Sequence, residues 1–239
     1  REGTFRPNPV RRKEIPKPDG GVRKLGIPTV IDRVIQQAIA QQLQPIFEPL
    51  FSDVSYGYRP KRSAQQAILK VKGYAQQGYT HAVEVDLSKY FDTLNHELLM
   101  NLLRKQIHDK RVTDLIKRYL KSGVMENGVV CKTEEGSPQG GPLSPLLANI
   151  YLNEYDQEME RRGVKVIRYA DDIVALAKSK RAAQHLLESS RKLLEGKLKL
   201  TMNTQKSKVV SVVAQKNFKF LGFCLGKNGK GIYIRAHRK

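Results

Sequence analysis

The chain has 239 residues, 40% of them apolar, enough to bury one large domain or two lobes sharing a core and too many for disorder throughout. No apolar run approaches the ~20 residues of a membrane span and no charged-then-apolar leader opens the sequence, so a cytoplasmic protein without a membrane partner is expected. A net charge of +20 points to a polyanionic partner, nucleic acid above all, while Cys131 and Cys224 are too few for a disulfide framework or a structural zinc site.

In chain order, a basic, proline-rich start from Arg1 suggests a piece trimmed at its amino end. Lys13 to Pro28 reads as two short extended arms around a tight turn at Asp19-Gly20, with Lys17 before the turn and Arg23 and Lys24 after it. Cations on both arms can close over a triphosphate, Arg as a planar fork and Lys as a point charge; a solvated basic hairpin is the alternative. Thr29 to Gln44 has helical spacing, with Val30, Ile31, Val34, Ile35, Ala38, Ile39 and Leu43 as a core stripe and Pro45 as its end. Ser55-Tyr56-Gly57-Tyr58-Arg59-Pro60 is an aromatic and basic loop, whose Tyr56, Tyr58 and Arg59 either hold a nucleic-acid strand or pack. Ser63 and Gln66 then have capping-box spacing at the start of a helix with Ala64, Ala67, Ile68 and Val71 on its inner face.

His81 to Leu87 alternates as a strand, with Val83, Val85 and Leu87 on one face and Ala82, Glu84 and Asp86 on the other. Helices are expected from about Asn95 to Ile107 and around Leu115 to Leu120, then a loop to Gly136. Gly136-Ser137-Pro138-Gln139-Gly140-Gly141-Pro142-Leu143 opens into a helix with Ser144 as cap and Pro145 in its first turn, running to about Arg162. Glycines there permit close backbone approach to a ligand, and Gln139 can lie against a sugar or base.

Val166 to Leu176 reads as strand, turn and strand, with Asp171 and Asp172 at the tip. Adjacent carboxylates repel unless solvated or bridged by a cation, and Asp86 at the end of another strand supplies a third. A capped helix from Lys180, a loop and strand holding Lys206 and Lys208, and a hairpin turning at Asn228-Gly229 complete the chain. No internal repeat and no linker between independent domains is evident; the proline-rich turns separate lobes of one body.

This order of basic hairpin, strand ending in Asp86, Pro-Gln-Gly loop and Tyr-Ala-Asp-Asp hairpin closely resembles the reverse transcriptases encoded by bacterial group II introns. The matching stretches are 15–29, 55–68, 83–94, 136–152, 168–176, 200–209 and 219–222. The resemblance implies an α+β right-hand polymerase with fingers (residues 1–80) and a palm (81–239) of antiparallel sheet backed by helices. Residues 95–136 are expected near the fingers–palm boundary, and no thumb is expected within this stretch. It implies Asp86, Asp171 and Asp172 as an acidic triad for two Mg²⁺ ions about 4 Å apart, which clamp the attacking and leaving oxygens of an in-line displacement.

By the same resemblance Lys17 and Arg23 are triphosphate ligands, Gln139 and Gly140 border the incoming nucleotide, and Phe91 is the steric gate against a ribose 2′-hydroxyl. Lys206 matches the family position implied to protonate leaving pyrophosphate, a solvated lysine being the alternative. The implied activity is RNA-directed DNA polymerisation from dNTPs on an RNA template and DNA primer, with binding of intron RNA to assist splicing and mobility; a homodimer is a further candidate assembly. Retron- or defence-type reverse transcriptases and a non-catalytic splicing factor are the alternatives. The family's extended amino-terminal segment, thumb, DNA-binding and endonuclease regions are not found, which predicts weak processivity for this stretch alone. Gln205 stands where many relatives have Glu.

Overall fold

A computed structural model describes residues 3–16, 20–126, 128–137, 139–214 and 218–237. Its elements run β1 (Val10–Pro16), β2 (Val22–Ile27), α1 (Val30–Phe47), α2 (Ala64–Gln76), β3 (His81–Val85), α3 (His96–Arg104), α4 (Lys110–Leu120), β4 (Val124–Glu126) and β5 (Val129–Cys131). There follow α5 (Ser144–Arg161), β6 (Lys165–Tyr169), β7 (Asp172–Ala177), α6 (Lys180–Arg191), β8 (Lys208–Ser211), β9 (Lys219–Phe220), β10 (Phe223–Asn228) and β11 (Gly231–Ala236). No helix among the described residues is long and apolar enough to cross a membrane.

The chain folds into two compact units, each drawn from two stretches: Arg1–Phe51 with Lys89–Tyr151, and Ser52–Ser88 with Leu152–Lys239. A linear division at residue 80 therefore does not follow how the residues group.

In the first unit the basic hairpin forms as its sequence suggests, β1 and β2 pairing antiparallel from Arg11↔Ile27 to Pro16↔Val22. Lys17, before the turn, and Asp19 of the turn lie outside the described residues. The stretch expected as a loop after α4 contains β4 and β5, an antiparallel pair whose β4 runs parallel to β1 at Val10↔Val124. Strands of three residues are too short for alternation to register.

Helix α1 departs most from its pattern. Its buried residues are Asp32, Gln36, Leu43 and Phe47, whereas Val30, Ile31 and Val34 are 67%, 65% and 64% exposed. Asp32 is held inward because it gathers donors, accepting from the Thr29 hydroxyl at 2.6 Å, the Asn8 amide at 3.1 Å and the Tyr119 hydroxyl at 3.3 Å. A buried carboxylate with such partners fixes the helix rotation against its apolar preference. Pro45 also lies inside the helix rather than ending it. In α3 and α4, capped by Asn95 and Asp109, Leu99, Leu103, Ile116, Tyr119 and Leu120 are buried, while Leu98, Leu102 and Leu115 are half-buried.

The second unit is built on an antiparallel sheet in the order β6-β7-β3-β8. α2 begins with a complete Ser63/Gln66 capping box and lays Ala67, Ile68, Val71 and Ala75 against Ile167, Val174 and Leu176 of the sheet. Phe220 and Leu225, from the smaller β9-β10-β11 sheet, and Phe218 just before it close the same core. Ile173 and Ala175 alternate to the other face and are equally buried, so the sheet is covered on both sides. The last hairpin is one residue out of its expected register: Asn228 pairs with Gly231, and the turn residues are Gly229 and Lys230. Asn228 Oδ1 accepts from Lys230 N at 3.0 Å, a side-chain turn that draws Asn228 back into its strand.

Candidate active site

The three predicted carboxylates all belong to the second unit. Asp86 directly follows β3, and its backbone is clasped by a loop: Asp86 N donates to Ser207 Oγ at 3.0 Å and Asn203 N donates to Asp86 O at 2.9 Å. The Asn203 side chain in turn accepts from Lys206 N at 3.2 Å, which puts exposed Lys206 on the loop that anchors Asp86. β6 and β7 close at Tyr169↔Asp172, so the turn is Ala170-Asp171 and Asp172 is the first strand residue rather than part of the tip. β3 and β7 end their pairing at Val85↔Ile173, and one further step sets Asp86 opposite Asp172.

Electrostatics agree with that register. The Asp172 carboxyl is pushed up to about 6, first by partial burial of the group among its neighbours and then by the like charges of Asp171 and Asp86. The residue as a whole still reaches solvent. A carboxyl repelled from two sides is a group that a cation would relieve. Among the described residues no three His, Cys, Asp or Glu side chains are gathered closely enough to hold a metal ion by themselves. The arrangement is thus an open acidic cluster, not a closed cage.

The turn carrying Asp171 is braced from beneath. Ala170 has φ 57°, in the left-handed region, at the hairpin position where glycine is usual. Arg168 is fully buried beside the equally buried Asp156 of α5; its Nη2 lies 2.6 Å from Asp156 Oδ2 and its Nε 2.9 Å from Oδ1. Its Nη1 donates to Ala170 O at 2.9 Å and its Nη2 to Ser55 Oγ at 2.8 Å. Burial pushes the Asp156 carboxyl up, while the Arg168 guanidinium pulls it down. The Ser55 segment also runs along the edge of β6, Arg168 N donating to Val54 O and Tyr56 N to Arg168 O, both at 2.8 Å. Pattern reading missed Arg168 and Asp156. The available signal was a cation inside the apolar run Val166-Ile167-Arg168-Tyr169 and an acid on the Leu152, Tyr155, Met159 face of a helix.

The proposed strand-contacting trio separates. Tyr56 is buried in the α2 core, and Arg59 is buried with Nη1 donating to Ser52 O at 2.7 Å and Ser55 O at 2.9 Å. Both are occupied in holding this segment, and Tyr58, 54% exposed, is the ring left at the surface.

The remaining nucleotide candidates sit in the first unit, where several are tied together. Phe91 lies in a short 3₁₀ turn, buried edge-on to Tyr90 with ring centroids 5.3 Å apart. Its carbonyl accepts from Ser137 N at 2.6 Å. Two residues on, Gln139 O accepts from Gly26 N of β2 at 2.7 Å, so the glycine loop is stitched to Phe91 and to the basic hairpin that bears exposed Arg23. Gly140 has φ 123°, and a Cβ there would stand 2.8 Å from Gly26 O, so this close approach requires glycine. The loop also rests on His96, whose Nε2 is 2.6 Å from Gly136 O.

An antiparallel sheet that carries acidic residues at adjoining strand ends, in a chain whose other unit has a basic hairpin and a glycine loop, has the parts of a nucleic-acid polymerase. The chain belongs to the reverse transcriptase (RNA-dependent DNA polymerase) family, whose pattern matches residues 15–225. Its relatives include proteins of group II introns: it is 45% identical over 158 residues to the group II intron-encoded protein LtrA of Lactococcus lactis, covering 66% of this chain and 26% of that one. It is 38% identical over 258 residues to protein YkfC of Escherichia coli, covering 92% of this chain and 67% of that one. The fold is similar to that of an apo telomerase from Candida tropicalis truncated from its C-terminal domain, with TM-score 0.71 at 15% identity over 96% of this chain and 55% of that one.

Proposed function

We propose that this chain is the RNA-directed DNA polymerase part of a group II intron-encoded protein, extending a DNA primer on an RNA template with dNTPs and binding intron RNA to assist splicing and mobility. The observation that carries the reading is the β3–β7 register, which ends at Val85↔Ile173 and so sets Asp86 opposite Asp172 and near Asp171, with Asp172 pushed up to about 6 by its surroundings and its acidic neighbours, in a chain of this family. On this reading the unit with the β6-β7-β3-β8 sheet is the palm and the other is the fingers.

Asp86, Asp171 and Asp172 are the residues to hold Mg²⁺, whose preference for a few carboxylates completed by water and substrate phosphates suits an open oxygen cluster. When bound, Mg²⁺ supplies charge stabilisation to the displacement and a more acidic primer 3′-hydroxyl. Arg23 and Lys17 offer cations to the triphosphate, and Gln139 and Gly140 form the loop against which the nucleotide lies. Phe91 stands as the gate that favours deoxyribose. Lys206, on the loop that clasps Asp86, is placed to give a proton to leaving pyrophosphate. Tyr58 is the aromatic contact for a strand.

Primer extension on an RNA template with Mg²⁺ tests the reading, comparing deoxy- and ribonucleotides. Wild type extends with dNTPs; Asp171→Ala loses extension while keeping most of its RNA binding. Equal extension by the two proteins rejects the assignment.

A further inference from the structure

We propose that Arg168, locked by Asp156, is a positioning residue for the ion-binding carboxylates, fixing the plane of the Ala170–Asp171 peptide and with it the direction from which Asp171 projects. This rests on the reading of Asp171 and Asp172 as metal ligands.

The argument begins with strain. An L-residue held at φ 57° costs about 1–2 kcal/mol, so the turn needs an external hold to stay in one conformation. Ala170 O is the acceptor half of the peptide whose nitrogen belongs to Asp171. A hydrogen bond from Arg168 Nη1 at 2.9 Å therefore orients that whole plane.

The guanidinium cannot turn to follow a drifting loop. Its Nε and Nη2 are held by the Asp156 carboxylate, and Nη2 also reaches Ser55 Oγ at 2.8 Å. One rigid planar fork thus references the turn to helix α5 and to the segment alongside β6. Lysine has the same charge but a single nitrogen, and cannot span the carboxylate, Ala170 O and Ser55 Oγ in that fixed plane.

A buried ion pair is a poor device for stability alone, since its desolvation offsets its attraction and apolar replacements are often neutral. Arg168 and Asp156 both have 0% side-chain exposure. Positional control gives such a pair a purpose that burial of two leucines would not serve. Groups that orient metal ligands typically change metal affinity by about 10–100-fold when removed.

The test uses the 239-residue chain without nucleic acid or nucleotide, titrated with Mn²⁺ and read by the electron paramagnetic resonance signal of unbound Mn²⁺, alongside thermal unfolding. The Arg168→Met/Asp156→Leu double variant removes the fork while keeping an apolar fill. It is expected to unfold within a few degrees of wild type yet bind Mn²⁺ about tenfold more weakly. Arg168→Lys, which keeps the charge beside Asp156, is expected to show the same weakening, and decides the matter if the double variant does not fold. Wild-type Mn²⁺ affinity in either folded variant overturns the proposal. Asp171→Ala serves as the separate control: if it binds Mn²⁺ as wild type does, the underlying assignment of the carboxylates fails, whatever Arg168 does.

Discussion

Gly57 presses on the acidic hairpin more closely than any side chain could. A Cβ added there would lie 2.2 Å from Ala170 N and 2.9 Å from Tyr169 C, both backbone atoms of the turn that carries Asp171. No rotamer can absorb the overlap, so the two backbones must part by roughly 1 Å. Overpacking of this kind costs about 1–3 kcal/mol, and with rigid atoms on both sides the upper end applies. For a chain of this size about 3 kcal/mol lowers Tm by roughly 6–12 °C. Gly57→Ala is therefore expected to unfold at clearly lower urea than wild type and to lose most Mg²⁺-dependent extension even at low temperature, where it remains folded. Gly73→Ala is the matched control: Gly73 lies within α2 with nothing within 4 Å of its added Cβ, and the change should stabilise by about 0.5–1 kcal/mol. A Gly57→Ala protein with the wild-type urea midpoint and full extension would refute the reasoning.

The inverted rotation of α1 makes a paired prediction. Val34→Ser, at a 64% exposed position, should change stability by no more than about 0.5 kcal/mol, whereas Asp32→Ala, which strips acceptors from Thr29, Asn8 and Tyr119, should cost about 2 kcal/mol or more by urea unfolding. A pH dependence follows from His96. Burial holds its pKa below the ordinary 6.5, and its Nδ1 is buried without a hydrogen-bond partner. The unfolded chain takes up a proton near 6.5 that the folded chain resists, so this contribution is full above 6.5 and is lost as pH falls below it. His96→Gln should flatten that part of the stability profile between pH 7.5 and 5, and an unchanged slope would remove His96 as its source. Phe91→Ala should raise ribonucleotide incorporation relative to deoxynucleotide by at least about tenfold in single-nucleotide extension; an unchanged ratio would take Phe91 out of the sugar pocket.

What the sequence made legible was mostly local. Ser63 with Gln66, the two arms around Asp19-Gly20, and the β6–β7 hairpin each depend on neighbours a few residues away, and each forms. The place of Asp86 just past the end of β3 could be read because strand alternation carries a side chain to a predictable face and end. The failures have two causes: either the deciding partner is distant in sequence, or a segment closes on its own side chains. Val30, Ile31 and Val34 look like core until Asn8 and Tyr119 are seen to draw Asp32 inward. Tyr56 and Arg59 look like strand contacts until their own segment closes around them. Arg168 passed as a strand residue because Asp156 and Ser55 reach it from other elements.

The interleaving of the two units has a consequence for how the protein is made. Ser52–Ser88 emerges early, but the Leu152–Lys239 stretch that completes its sheet follows only after Lys89–Tyr151 has been synthesised. At about 5–20 residues per second, β3 and the Asp86 that follows it wait several seconds on the ribosome before β7 exists to pair with the strand. A nascent chain arrested before residue 152 should therefore present α2 and β3 with their apolar faces uncovered. The acidic cluster cannot form until this wait is over, so chaperone dependence during synthesis should centre on the waiting half-sheet.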